Sequence, residues 1–114
     1  MEVIVKSLPE FDRNAKRLAK KYKSFKADLS SFYQSLLVNP NQGVSLGKGG
    51  VHKVRMAVSS KGSGKSGGTR ILTFCIKISE PDVYEVTLMS IYDKSEIANV
   101  SNSYIETLVN EIIK

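Results

Sequence analysis

The sequence is poor in the residues that metal centres and disulfides require. Its 114 residues include one cysteine, one histidine and no tryptophan. A single cysteine cannot form an intramolecular disulfide, and one histidine with one cysteine is too small a set for a zinc or iron site. Cys75 lies in an apolar stretch, where we expect a packed thiol rather than a nucleophile. We therefore expect a protein that works without a metal ion or a cofactor.

Long apolar runs are missing as well. Hydrophobic residues make up 41% of the chain, as in an ordinary globular domain, but no run approaches the roughly 20 residues of a membrane span. The opening MEVIVKSLPE has an apolar stretch too short for a signal peptide. The length suits one domain, which we place at residues 1–114. These absences predict a single cytoplasmic domain with no membrane partner.

Charge is abundant and unevenly distributed. Lys and Arg number 17 against 11 Asp and Glu, which gives a net charge of +6. Met1–Lys26 carries 8 basic and 3 acidic residues, Ala27–Arg70 carries 6 and 1, and Ile71–Lys114 carries 3 and 7. A body that is electropositive over its first two thirds attracts a polyanion such as RNA. The alternative is a basic surface that is merely solvated.

The N-terminal part predicts a short strand followed by a helical hairpin. Glu2–Val5 can form the strand, after which Ser7 and Glu10 have the spacing of a capping box for an amphipathic, basic helix. A second helix is expected to begin near Ser24 and to stop before Pro40.

Three later segments have the composition of strands. Apolar and basic residues alternate in Val51–Val58, so that one face is apolar and the other carries Lys53 and Arg55. Ile71–Ile78 is apolar on both faces, which predicts a central strand, and Val83–Tyr92 follows it after a short turn. The connections are too short for crossover helices, so we expect these three strands to be antiparallel.

The remaining segments complete an α+β fold. Asn41–Gly50 is expected to be a loop with Leu46 as its apolar anchor, and a final helix is expected with Ser103 and Glu106 in capping-box spacing. The predicted architecture is an N-terminal helical hairpin packed on a small, mostly antiparallel sheet, with a C-terminal helix.

The segment Gly64–Arg70, GKSGGTR, has the look of a phosphate-binding loop but not its context. A Walker A loop needs a glycine where this chain has Ser59, and it opens a helix, whereas an apolar strand follows here. We interpret the segment as a long connection that delivers Arg70 to the start of the next strand. An NTPase is thereby disfavoured.

The order of these segments resembles that of the RelE/ParE superfamily of bacterial toxin-antitoxin modules, and within it the HigB-like messenger-RNA interferases. The resemblance is carried by VHKVRMAV, by the loop ending GKSGGTR, by the apolar strand, and by a strand closing in IYDKSE. FDRNAKRLAKKYKSFKADLSSFYQSLLVNP is similar to the opening helical hairpin of that family. The resemblance therefore covers nearly the whole chain.

In an antiparallel sheet of these three strands, five side chains can converge on one concave surface opposite the helical hairpin: Lys53, Arg55, Arg70, Tyr92 and Lys94. The resemblance implies that this surface is a metal-free active site. Arg70 matches the arginine that clamps the phosphate in the transition state, and Lys53 and Arg55 match the basic residues that hold the flanking phosphates. Lys94, in YDK, matches the lysine that we take as general acid, and Tyr92 is expected either to stack on a base, to position the 2′-hydroxyl, or to be a core aromatic. We also expect five further lysines to bind RNA, two in the loop and three on the first helix: Lys61, Lys65, Lys16, Lys20 and Lys21.

The function implied is cleavage of messenger RNA on the 70S ribosome, without a small-molecule cofactor, in the bacterial cytoplasm. The expected protein partner is a cognate antitoxin, a small helix-turn-helix DNA-binding protein. Two alternatives stay open. One is a gyrase inhibitor that shares the fold without nuclease activity, as in other members of the superfamily. The other is a non-catalytic basic module that binds RNA or a protein through the helix around Arg13–Lys21.

Overall fold

A five-stranded mixed sheet organises the molecule and separates two hydrophobic cores. The computed structural model describes residues 1–62, 64, 67–79 and 82–113, and in these residues the chain forms three α-helices and five strands. In chain order the elements are β1 (Glu2–Ser7), α1 (Pro9–Lys21), α2 (Phe25–Val38), β2 (Val44–Gly47), β3 (Val51–Met56), a short 3₁₀ turn (Ser59–Lys61), β4 (Thr69–Ser79), β5 (Val83–Asp93) and α3 (Asn102–Ile113). The predicted α+β class and the placement of its helices are confirmed.

Strand order in the sheet is β1-β5-β4-β3-β2. β4 is therefore the middle strand, as its two apolar faces predict, and it pairs antiparallel with both β3 and β5. β1 joins the sheet by parallel pairing with β5, from Glu2 opposite Val83 to Ser7 opposite Leu88. The helical hairpin α1–α2 supplies the long connection that leads away from β1.

The helical hairpin covers one face of the sheet. Leu18 of α1 and Phe25 and Leu36 of α2 are fully buried there against Ile71 and Val86 of the central strands. Each such side chain contributes about 1.5 to 3 kcal/mol through burial. The second helix ends at Asn39 as predicted, because Pro40 cannot continue it.

The C-terminal helix packs on part of the opposite face. Ile105, Leu108 and Val109 of α3 form the second core with Val51 and Leu72, among other residues of the sheet. The side chains of β3 therefore divide as their period predicts: Val54 and Met56 point to the hairpin, and Lys53 and Arg55 point to the α3 side. The charged end of this face lies beside α3.

Some local predictions are wrong. Asn41–Gly50 is not all loop, because Val44–Gly47 forms β2, an edge strand that pairs with β3 through an irregular register. Four residues flanked by glycines are too short to show a period of two. Leu46 does pack on the second core, as expected.

Both predicted capping boxes are also wrong. Ser7 belongs to β1, so Leu8 occupies the N-cap of α1, and the Ser7 hydroxyl donates to Asp12 at 2.7 Å. At α3, the Ser101 hydroxyl accepts from the Tyr104 backbone N–H at 3.1 Å, while Ser103 lies inside the helix. The spacing of a capping box does not reveal where the preceding segment ends.

Within the described ranges of the chain, none of the helices has the length and apolar character needed to cross a bilayer.

Gly68 offers a test of the packing between the loop and β3. A Cβ on Gly68 would collide with the Met56 carbonyl oxygen and lie 3.0 Å from the Cα of Ala57. We expect Gly68→Ala to lower the free energy of unfolding by about 1 to 3 kcal/mol, as overpacking does. At Gly49 a Cβ meets nothing within 4 Å and φ is +82°, so Gly49→Asn is the matched control. Urea unfolding should separate the two variants, and equal midpoints would contradict the packing described.

Candidate functional site

A cleft of about 670 Å³ opens on the sheet face opposite the helical hairpin. It is bounded by β3, by the first residues of β4, by the end of β5 and by the segments around residues 42–44 and 98–99. The five side chains that the sequence predicts to converge on this face all line it: Lys53, Arg55, Arg70, Tyr92 and Lys94. The predicted juxtaposition is therefore present.

Strand register places three of these residues in one row. Arg55 lies opposite Arg70, and Arg70 lies opposite Tyr92. Directly opposed residues of antiparallel strands have their Cβ atoms about 4.5 to 5.5 Å apart. Arg55 is exposed, whereas Arg70 is 5% exposed and donates from Nη1 to the Thr69 carbonyl at 3.3 Å. Two guanidinium groups at this spacing concentrate positive potential in the cleft and favour an anionic ligand.

Lys94 reaches the cleft from the residue that follows β5. Its backbone N–H donates to the Gly68 carbonyl at 3.1 Å, so the end of the loop and the end of β5 are held together. Arg70, two residues after Gly68, and Lys94 are thereby delivered to the same cleft. Lys53 is half-buried on β3, on the same face as Arg55.

Tyr92 has the core position that was one of the three expectations for it. It is 4% exposed and packs in the second core, yet it also lines the cleft. Among the described residues its hydroxyl has no hydrogen-bond partner. Burial raises the pKa of the Tyr92 phenol, and the charge of Arg70 opposes that increase. The Tyr92 hydroxyl is thus a buried donor without a described partner, and a ligand reaches it only if the residues around it move.

Lys61 does not line the cleft with these residues. It is 15% exposed, and its ammonium donates to Asp93 Oδ1 at 2.7 Å and to the Gly67 carbonyl at 2.7 Å. Asp93 is the last residue of β5, and unlike Tyr92 it points to the hairpin side of the sheet, where the Tyr22 hydroxyl donates to it. Lys61, which we predicted to bind RNA, therefore already forms an ion pair with the buried carboxylate of Asp93. Lys65 lies outside the described residues.

The three predicted lysines of α1 lie on the other side of the sheet from the cleft. Lys16 and Lys20 are exposed and form no ion pair within the described part of the chain. Lys21 donates to Glu96 at 2.7 Å and to Asp93 at 3.3 Å. Glu96, which also accepts from Arg17 at 2.7 Å, raises the pKa of Lys21. Two of the three lysines are therefore available to a polyanion.

Sequence reasoning missed several residues of this region. Gln42 and Asn99 line the cleft from irregular segments whose position no periodicity predicts. Asp93 could have been recognised, because it shares strand parity with Ile91, and an acidic residue on an apolar face must be paired.

No protein-family model matches the chain. Across residues 1–62, 64, 67–79 and 82–113, no group of three or more His, Cys, Asp or Glu side chains could hold a metal ion. The groups that the cleft offers to a ligand are cations, amides and one phenol.

The hydroxyl of Tyr92 can be tested through stability. Tyr92→Phe removes a buried polar atom without a partner, so we expect the free energy of unfolding to stay the same or rise by up to about 1 kcal/mol. Tyr104→Phe is the matched control, because the Tyr104 hydroxyl bonds to Glu10 at 2.7 Å and lies 3.0 Å from Ser90 Oγ. The control should lose about 1.5 to 3 kcal/mol, as expected for a hydrogen bond to a charged group. Equal losses in chemical denaturation would show that the Tyr92 hydroxyl is paired in solution.

Proposed function

We propose that the protein is the toxin of a bacterial toxin-antitoxin module and that it cleaves messenger RNA on the ribosome without a metal ion. The observation that carries the proposal is the cleft that Lys53, Arg55, Arg70, Tyr92 and Lys94 line together. The order of the sequence segments, which resembles the HigB-like interferases, supports the same assignment. An RNA backbone supplies both the negative charge that such a cleft attracts and an internal nucleophile, the 2′-hydroxyl.

The proposed reaction is transesterification at the phosphate. The 2′-oxygen of the ribose attacks the adjacent phosphorus and loses its proton to water, while the bond from phosphorus to the 5′-oxygen breaks. The products are a 2′,3′-cyclic phosphate and a 5′-hydroxyl. Because the nucleophile is built into the substrate, the protein has to orient it, stabilise the extra negative charge of the transition state and protonate the leaving oxygen.

Each cleft residue takes a role that suits its chemistry. The planar guanidinium of Arg70, at the base of the cleft, clamps the phosphorane oxygens in bidentate fashion. Lys94 delivers a proton to the 5′-oxygen, and Lys53 and Arg55 hold the flanking phosphates. Tyr92 either supports a stacked base or, if the residues around its buried hydroxyl move when RNA binds, positions the 2′-hydroxyl.

The partners follow from the same proposal. Messenger RNA lies in the cleft, and the exposed Lys16 and Lys20 of α1 lie on the opposite side of the sheet, where they contact ribosomal RNA. A cognate antitoxin, encoded beside the toxin, silences the protein in the bacterial cytoplasm.

The decisive experiment is to map messenger ends. Purified protein incubated with programmed 70S ribosomes should generate new messenger ends inside the reading frame. The new 3′ ends should carry a 2′,3′-cyclic phosphate or a 3′-phosphate. Cleavage should persist when a chelator of divalent ions is added at a concentration that leaves the ribosomes intact. Induction of the protein alone should stop translation in cells. Failure of DNA supercoiling while messages stay intact would instead favour a gyrase inhibitor, and binding of RNA without new ends would favour a non-catalytic module.

Substitution of Arg70 and of Lys94 should impair different parts of the reaction. Arg70→Ala removes stabilisation of transition-state charge, with an expected loss on the order of a hundredfold or more in single-turnover rate. Lys94→Ala removes the proton for the leaving oxygen, typically worth about 10²- to 10⁴-fold. Lys26→Ala, on an exposed position of α2, is the matched control and should cleave at the normal rate.

A modified substrate separates the two roles. Sulfur in place of the 5′-oxygen leaves with little need of a proton, so this substrate should largely restore Lys94→Ala and leave Arg70→Ala slow. Equal rescue of both variants, or of neither, would show that the two roles are assigned wrongly.

A further inference from the structure

Beneath the cleft lies a buried carboxylate that the proposed reaction does not use. Asp93 is 0% exposed and occupies the position between Tyr92 and Lys94, but its side chain points to the hairpin side of the sheet. It accepts hydrogen bonds from the Lys61 ammonium at 2.7 Å, from the Ser95 hydroxyl at 2.6 Å and from the Ser95 backbone N–H at 2.9 Å. A buried charge needs such partners, because an unpaired carboxylate in the interior is strongly destabilising.

Asp93 fastens three separate segments to the end of β5. Lys21, the last residue of α1, donates to Asp93 Oδ2 at 3.3 Å, and the hydroxyl of Tyr22, the next residue, donates to the same oxygen at 2.5 Å. From the 3₁₀ turn, Lys61 bridges Asp93 to the Gly67 carbonyl. The turn that follows β5 is tied through Ser95. We call these side chains the Asp93 network: Lys21, Tyr22, Lys61, Asp93 and Ser95.

The same segments carry the reactive groups on the other face. Gly67, held by Lys61, precedes Gly68, whose carbonyl accepts the backbone N–H of Lys94. Thr69 lies opposite Asp93 in the sheet, and Arg70 lies opposite Tyr92. A displacement of Asp93 therefore reaches Lys94 through one peptide bond and Arg70 through the pairing of β4 with β5, and a displacement of Lys61 reaches both through Gly67 and Gly68.

We infer that Asp93 and Lys61 form a positioning pair that holds Arg70 and Lys94 in the relative geometry that cleavage requires. This inference rests on the proposed function. Neither residue of the pair lines the cleft, so neither touches the substrate; both act through the backbone. Displacement of a reacting group by about 1 Å costs on the order of a hundredfold in rate, which makes such fixation catalytically significant.

Proton transfer by Asp93 is not part of this role. Burial opposes its ionisation, but hydrogen bonds from Lys61, Ser95 and Tyr22 outweigh that effect and hold the pKa of the Asp93 carboxyl well below its usual range. Asp93 therefore stays ionised throughout the pH range of a ribosome assay. Its contribution is to geometry and to neutralisation of the Lys61 charge.

The test compares Asp93→Asn with Glu96→Gln, two isosteric changes in neighbouring carboxylates. Glu96 also accepts from Lys21 and from Arg17, but its side chain is 32% exposed and it makes no described contact with the loop. We expect Asp93→Asn to lower the saturating single-turnover rate at least about tenfold, with the half-saturating ribosome concentration within about twofold of the unmodified protein. Glu96→Gln should keep both values within about twofold.

Hydrogen exchange supplies a readout that does not need cleavage. The Lys94 amide, which donates to Gly68, should exchange at least about tenfold faster in Asp93→Asn than in the unmodified protein, and Glu96→Gln should leave it protected. Unchanged protection of Lys94 in Asp93→Asn overturns the inference, whether or not RNA is cut. A fully folded protein that cuts no RNA, but shows the expected exchange, rejects the proposed function and retains the structural part of the inference.

A double variant guards against simple unfolding. Asp93→Asn with Lys61→Met removes both charges of the pair, and replacing both partners of a buried ion pair is often neutral for stability. We expect the double variant to recover the thermal midpoint that Asp93→Asn loses but not the cleavage rate or the Lys94 protection. Recovery of rate together with stability would reduce the pair to an ordinary stabilising contact and overturn the inference.

Discussion

Backbone pairing of β4 with β3 on one side and β5 on the other determines where Lys53, Arg55, Arg70 and Tyr92 lie in the cleft. The register puts Arg55, Arg70 and Tyr92 in one row across the three strands. Successive residues of a strand face opposite ways, so a slip of one residue would turn these side chains into the hairpin core and bring apolar ones out. Burial of Ile71 and Cys75 on the hairpin side opposes that slip. The hydrophobic cores thus fix the charged site indirectly.

Part of the charge asymmetry of the sequence is neutralised by ion pairs within the molecule. Acidic residues of the last third pair with basic residues far away in sequence: Glu96 with Arg17 and Lys21, Asp93 with Lys61, and Glu106 with Lys48. The exposed pairs of Glu96 and Glu106 contribute only about 0 to 1 kcal/mol each, so those pairs do not hold the fold together. Their consequence is local, because Arg17, Lys21 and Lys61 on the hairpin side of the sheet each have an acidic partner.

The fold could be predicted from sequence wherever periodicity was long enough to be read. The alternation in β3 and the two apolar faces of β4 gave the orientation and the centre of the sheet, and from these the convergence of Lys53, Arg55, Arg70, Tyr92 and Lys94 followed. The sequence did not predict the short β2 or either helix cap correctly, because these features depend on single residues whose conformation is determined by their neighbours. No local pattern could show them.

Lys61 illustrates a different limit. A lysine in a glycine- and serine-rich loop has the composition of a phosphate ligand, and only the tertiary structure reveals a carboxylate 32 positions away that accepts from it. Sequence separation hides such pairs, since neither residue alters the periodicity around it. A charged residue that is predicted to be functional from composition alone must therefore be checked for an ion-pair partner in the tertiary structure.

Asn14 protects part of the β5 edge from pairing with a strand of another molecule. β1 pairs with β5 as far as Leu88, and beyond it α1 lies along the edge of β5. The side-chain amide of Asn14 lies 3.4 Å from the backbone nitrogen of Ile91, and in its flipped orientation it donates to the Ile91 carbonyl at 3.3 Å. It thereby occupies the peptide group that a foreign strand would use. Intermolecular strand addition at Ile91 would first have to displace a helix, so this edge is guarded against aggregation at high protein concentration.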